Sequence, residues 1–190
     1  MQNDPNTAAN RALEQEWYKQ LFGVRRSVRY HSYRRQFYLG AQALTSFLII
    51  VLGSGSAMVL FSELDAEWFK ILAPMAITVL AALSLVYGLT AKAALHNDLY
   101  RRFVDLERDF TKSACDDKER KRLVDRRLEI EMDEPAIYQA LNRHCHNELL
   151  RSEGRFELME RLQVQHRLFK DILRFDNLPV TQRRVVQGSS

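Results

Sequence analysis

Residues Leu39 to Phe61 read LGAQALTSFLIIVLGSGSAMVLF and residues Ile71 to Ala91 read ILAPMAITVLAALSLVYGLTA; neither stretch contains an Asp, Glu, Lys or Arg. An α-helix rises about 1.5 Å per residue, so roughly 20 apolar residues cross a hydrocarbon core about 30 Å thick. Each stretch is long enough. Core helices of soluble proteins are usually shorter and keep a polar face, so the pair predicts an all-α membrane protein built on a two-transmembrane helical hairpin. Bulk composition hides this. The 190 residues are 46% hydrophobic and 27% charged, with a mean hydropathy of -0.32, because the charged residues crowd outside the two windows.

The flanks set the expected orientation, since Lys and Arg near a span are held on the cytoplasmic side. Arg25, Arg26, Arg29, Arg34 and Arg35 precede the first window, and Lys92, Arg101 and Arg102 follow the second. The connecting stretch carries Glu63, Asp65 and Glu67, with Lys70 its one basic residue. Both termini are therefore predicted to be cytoplasmic. Tyr30, Tyr33, Phe37 and Tyr38 on the basic side, and Phe61, Trp68 and Phe69 on the other, suit the two membrane interfaces. The first apolar run starts after a polar segment rather than at the extreme N-terminus, so it reads as a retained anchor and not a cleaved signal.

Four segments follow: 1–38, an N-terminal cytoplasmic amphipathic segment; 39–91, the hairpin, with spans at about 39–61 and 71–91; 92–175, a cytoplasmic helical domain; and 176–190, a loose tail. In the first, Leu13, Trp17, Leu21, Val24 and Val28 recur at steps of three and four, as on an amphipathic helix, with a bend possible at Gly23. Beyond the second span, Leu95, Leu99, Phe103, Leu106 and Phe110 continue a heptad-like spacing. One long helix is expected there, its seam packing on the N-terminal helix, on another subunit or on a partner. Lys118 to Met132 reads as a short helix, Asp133 as the N-cap of a helix with Pro135 in its first turn running to Leu150, and Phe156 to Phe175 as a last amphipathic helix.

On a helical projection the first span gathers Gln42, Thr45, Ser46, Ile49, Gly53 and Ser56 into one narrow sector, and Thr78 belongs to a weaker small-residue face of the second. Lipid does not reward exposed Gln or Gly, so the stripe is expected to face another helix or a wet lumen. Two helices cannot enclose a lumen, so a pore would need several copies. The lack of ionisable residues within the spans argues against a proton relay or voltage sensor. Pro74 is harmless if the second helix starts near Lys70 and disruptive if it starts earlier.

The formal charge of +4 and pI near 9.2 are concentrated beside the membrane, where topology and anionic headgroups account for them, so nucleic acid is not the expected partner. His144, Cys145 and His146 invite a metal reading, but adjacent helical positions point apart, and His144 with Glu148 makes only two ligands. No glycine-rich phosphate loop, nucleophile elbow or HExxH motif is present. Neither an enzyme, nor a cofactor, nor a metal site is expected, and Cys115 and Cys145 are expected as free thiols.

The run Arg34-Arg35-Gln36-Phe37-Tyr38, the short acidic loop, the second span continuing through His96 and Tyr100 to Phe110, and Asp133, Glu134 and Pro135 followed by Cys145, His146, Asn147 and Glu148 resemble the SLATT family. These are two-transmembrane effector domains associated with bacterial nucleotide-signalling defence systems. The likeness covers roughly residues 15 to 175. It implies a homo-oligomeric effector in the bacterial inner membrane that permeabilises it when a separate signalling enzyme or sensor reports infection. The small polar stripe is then the candidate lining. A non-conducting scaffold whose cytoplasmic helices dock a partner protein is the alternative.

Overall fold

The computed structural model describes residues 5–55, 59 and 67–175. Every regular element among them is helical: α1 (Pro5–Gly53), α2 (Glu67–Tyr87), α3 (Leu89–Lys112), α4 (Asp117–Glu131), α5 (Gln139–Ser152) and α6 (Val164–Leu168), with one 3-10 turn at Phe156–Leu158. Two regions, within Thr7–Gly53 and Ile71–Lys112, are long and apolar enough to cross a membrane, with window hydropathies of 1.5 and 2.0. Only 6% of each window is buried in the chain. Leu44, Phe47, Ile50, Val79, Leu83 and Val86 point outward, which suits lipid and costs free energy in water. Ser56, the acidic connecting residues Glu63 and Asp65 and the 176–190 tail lie outside the described residues.

The chain divides into two compact units, Arg34–His96 and the combination of Met1–Tyr33 with Asn97–Ser190. The N-terminal segment and the later helices, read separately from sequence, thus share one body.

In the Arg34–His96 unit the less exposed positions of the second candidate span up to the break at Gly88 are Ala73, Ala76, Ile77, Leu80, Ser84 and Gly88. Steps of three and four put them on one face, and four of the six are Gly, Ala or Ser, which lets helix backbones approach closely. A Cβ added at Gly53 would meet Ile77 Cδ1 at 3.7 Å, an ordinary contact. Pro74 lies inside α2 rather than at its start, so the helix forgoes one i→i−4 bond there. Nor does the second span run on unbroken: Gly88 adopts φ +57, separating α2 from α3. Only glycine takes that conformation without steric cost.

The core of the other unit joins three helices. Trp17 and Val24 of α1, with Leu21 and Val28 at its edge, pack on Leu99, Phe103, Leu106 and Phe110 of α3 and on Leu123 and Ile130 of α4. Trp17 meets Phe110 edge to face at 5.2 Å. A second cluster sets Tyr30 against Leu141 and Cys145 of α5. Helix α1 continues through Gly23 without interruption. The hydrogen that stands for a side chain there leaves space for Arg127, whose Nη1 would lie 2.6 Å from an added Cβ.

Two expected helices are corrected. The helix assigned to begin at Asp133 begins at Gln139, because the intervening residues spend their groups on other elements: Asp133 accepts from Arg102 at 2.5 Å, and the Tyr138 N–H donates to the Tyr30 hydroxyl at 3.0 Å. The single helix expected over Phe156–Phe175 is instead the 3-10 turn, an extended stretch and the short α6. Asn147 causes this, its amide taking the Glu160 N–H at 2.8 Å and donating to the Glu160 carbonyl at 2.6 Å. Those are the groups a helix through Glu160 would use.

Candidate functional site

The small polar stripe of the first span faces the second span of its own chain. Gln42 stands at the centre: Ser84 Oγ donates to its Oε1 at 3.0 Å, and its Nε2 reaches Ser46 Oγ at 3.4 Å. Thr45 Oγ1 donates to the Ala41 carbonyl at 2.9 Å. Thr45, Ser46 and Ile49 are half-buried beside Gln42, whereas Ala43, Leu44 and Phe47 on the opposite side are exposed. Gly53 closes the stripe near Ile77. Thr78 is not part of this seam; it is exposed and donates to the Pro74 carbonyl at 2.9 Å. Each amide or hydroxyl hydrogen bond here replaces one that water would supply outside a membrane, and in lipid such pairs are worth about 0.5–2 kcal/mol.

Toward the basic end of the same unit, Arg34 is buried, its guanidinium 4.6 Å from the Tyr38 ring centroid and 5.4 Å from that of Phe37, and its Nη2 donates to the Tyr38 hydroxyl. His96 stacks on Tyr38 at 5.6 Å. Lys92 Nζ lies 5.4 Å from the Tyr87 centroid and 5.9 Å from that of Tyr38. Aromatic faces attract these cations where solvent is scarce. In sequence the basic and aromatic residues read as flanks; that Tyr38 receives Arg34, Lys92 and His96 together is visible only once α1 and α3 are in place.

The seam Leu95, Leu99, Phe103, Leu106 and Phe110 divides. Leu99, Phe103, Leu106 and Phe110 are fully buried by α1 and α4 of the same chain, so they are not open to another subunit; Leu95 is 38% exposed. Of the family-like residues, Asp133 ties to Arg102, and Glu134 Oε1 lies 2.8 Å from Nε2 of the buried His31, which stacks on Phe103 at 5.4 Å. Pro135 follows in the extended connection, where the residue before a proline is held out of the helical region. These residues hold α1, α3 and the α4–α5 connection together.

The remaining family-like residues sit on α5. Cys145 is buried, and burial, reinforced by the Glu148 charge, pushes its thiol up to about 12, leaving a small apolar group and not a nucleophile. His146 meets the Phe22 ring edge at 5.3 Å, and desolvation lowers its pKa. Asn147 clamps Glu160. Glu148 accepts from the Tyr33 hydroxyl at 2.8 Å and lies 3.3 Å from His144. Burial, then the hydrogen bond to Glu148, raises the Tyr33 phenol to about 12. Desolvation and the charge of Lys170 lower the pKa of His144.

The described residues thus define an all-helical chain with two helices able to span a membrane and a separate helical body assembled from both sides of them. No family model matches the chain, and no curated protein or solved structure matches it at a significant level.

Proposed function

We propose that the chain is an oligomeric effector of the bacterial inner membrane, with both termini cytoplasmic, that permeabilises the membrane in anti-phage defence. The observation that carries the reading is the hydrogen-bonded Gln42, Ser46 and Ser84 cluster inside two candidate spans that hold no charged residue. An anchor needs only apolar surface; a hydrogen-bonding seam can be exchanged between copies, or turned to water when several hairpins assemble. The sequence likeness to two-span defence effectors supports the same role, with the trigger supplied by a separate enzyme or sensor.

The test is induced expression in bacteria carrying a membrane-potential dye, alongside conductance of the purified chain in planar bilayers. Depolarisation by the parent chain, abolished by Gln42→Leu or Gly53→Leu at equal membrane abundance, is the expected result. Absence of depolarisation and conductance under every activating partner tried would defeat the proposal.

One observation favours a second reading. Gln42, Thr45, Ser46 and Ser84 all find partners within the chain, as a closed hairpin requires. That arrangement suits a non-conducting scaffold whose helical body docks a partner protein. Retention of a purified partner by a chain that never conducts supports it.

A further inference from the structure

Helix α5 carries His144, Asn147, Glu148 and Arg151 at steps of three and four, hence on one face. The helix then ends in a Schellman turn: Gly154 takes φ +74, its N–H bonds the Arg151 carbonyl at 3.1 Å, and the Arg155 N–H bonds the Leu150 carbonyl at 2.9 Å. The reversed chain is pinned across α5 by the two Asn147 bonds to the Glu160 backbone. Between them lies a cleft of about 630 Å³, a volume ordinary for small-ligand sites.

The charges around it are unbalanced. Arg151 from α5, Arg161 from the returning segment and Arg167 from α6 all line the cleft, and none forms an ion pair or side-chain hydrogen bond with a described residue. Several arginines elsewhere in this unit find carboxylates: Arg25 with Glu107 at 3.0 Å, Arg127 with Glu131 at 2.7 Å, and Arg126 with Asp109. The two acidic residues of the lining are already engaged. Glu160 is neutralised by Arg143 at 2.6 Å, and Glu148 is held by Tyr33 and His144. Three uncommitted guanidiniums therefore share one concave surface, each a planar fork that fits two phosphate oxygens at once.

We propose that this cleft binds a small anion bearing two or more phosphate groups, gripped by Arg151, Arg161 and Arg167. The shared chemistry is the phosphoryl oxygen, whether it belongs to a soluble diphosphate or to an anionic lipid headgroup. The assignment does not depend on whether the hairpin conducts, because binding is read directly.

The experiment is calorimetric titration of the full chain, in nanodiscs of zwitterionic phosphatidylcholine, with inorganic pyrophosphate. Saturable binding is expected, weakening as salt rises and falling at least tenfold in Arg151→Gln, Arg161→Gln or Arg167→Gln, with the triple variant showing none. A thermal melt reports whether each variant folds; Arg151, Arg161 and Arg167 are all exposed, so the single variants decide the matter if the triple one unfolds. In discs containing cardiolipin, whose headgroup carries two phosphates, loss of pyrophosphate binding that is restored by diluting the anionic lipid identifies the headgroup as occupant, and unchanged binding identifies a soluble phosphate. Either supports the site. No saturable binding at millimolar pyrophosphate, equal competition by sulfate at the same concentration, or affinity indifferent to the arginine substitutions would overturn it.

Discussion

Asn147 uses both ends of its amide on the backbone of Glu160, and the site is largely closed to water. Truncation to alanine leaves a donor and an acceptor without these partners, so Asn147→Ala should cost about 1–3 kcal/mol, measured as a lower Tm or denaturation midpoint in detergent. Asn147→Asp should rescue only part of this, since a carboxylate accepts from the Glu160 N–H but cannot donate to its carbonyl. At the same scale, His144 and His146 have pKa values lowered by desolvation relative to about 6.5 in the unfolded chain. The unfolded state then binds more protons over that interval, so their contribution is complete above pH 6.5 and is lost as pH falls toward the lowered folded values. A melting series from pH 8 to 5 should show this loss. His146→Gln should flatten the curve, whereas Glu148, which favours protonated His144, limits that residue's share.

Helix α3 was legible from its own spacing. Leu99, Phe103, Leu106 and Phe110 form a strict apolar stripe, and burial of all four follows from the period alone. Which surface covers them was not legible, because the covering residues Trp17 and Val24 are far away in sequence. Phe103 is fully buried and also carries the His31 ring, so Phe103→Ala should lose about 3–5 kcal/mol through the cavity it leaves. A reversible denaturant melt of the chain in detergent would measure it; a loss below 1 kcal/mol would mean that α1 and α4 do not enclose this stripe. The misread elements share a cause. Asp133 followed by Pro135 has the local chemistry of a helix start, and Phe156 to Phe175 has an apolar stripe, but at both places long-range side-chain bonds take the backbone or the carboxylates away from a helix. In the candidate site the polar stripe was visible from helical projection, whereas its pairing with Ser84 was not. The three cleft arginines carried no sequence signal at all, since their shared surface exists only after the turn at Gly154.

At the scale of the molecule, the charge asymmetry around the two apolar windows and the two cysteines permit a direct test of topology. Cys115 is exposed and Cys145 is buried, with its thiol raised to about 12. Only the thiolate reacts readily with maleimide, so a folded chain should take up label at Cys115 and at Cys145 only after denaturation. If the basic flanks fix both termini inside, Cys115 in intact cells should be shielded from a membrane-impermeant maleimide and should react once the membrane is opened. A cysteine introduced by Ser62→Cys in a Cys115→Ser background, between the two windows, should react without permeabilisation. Labelling of Cys115 in intact cells would reverse the orientation, and shielding of both positions would mean that the two apolar helices do not cross as a hairpin. Expression is kept at a level at which the membrane potential is intact, so that the reagent is not admitted by a leak; the exposed apolar surface of Leu44, Phe47 and Ile50 is untouched by either substitution.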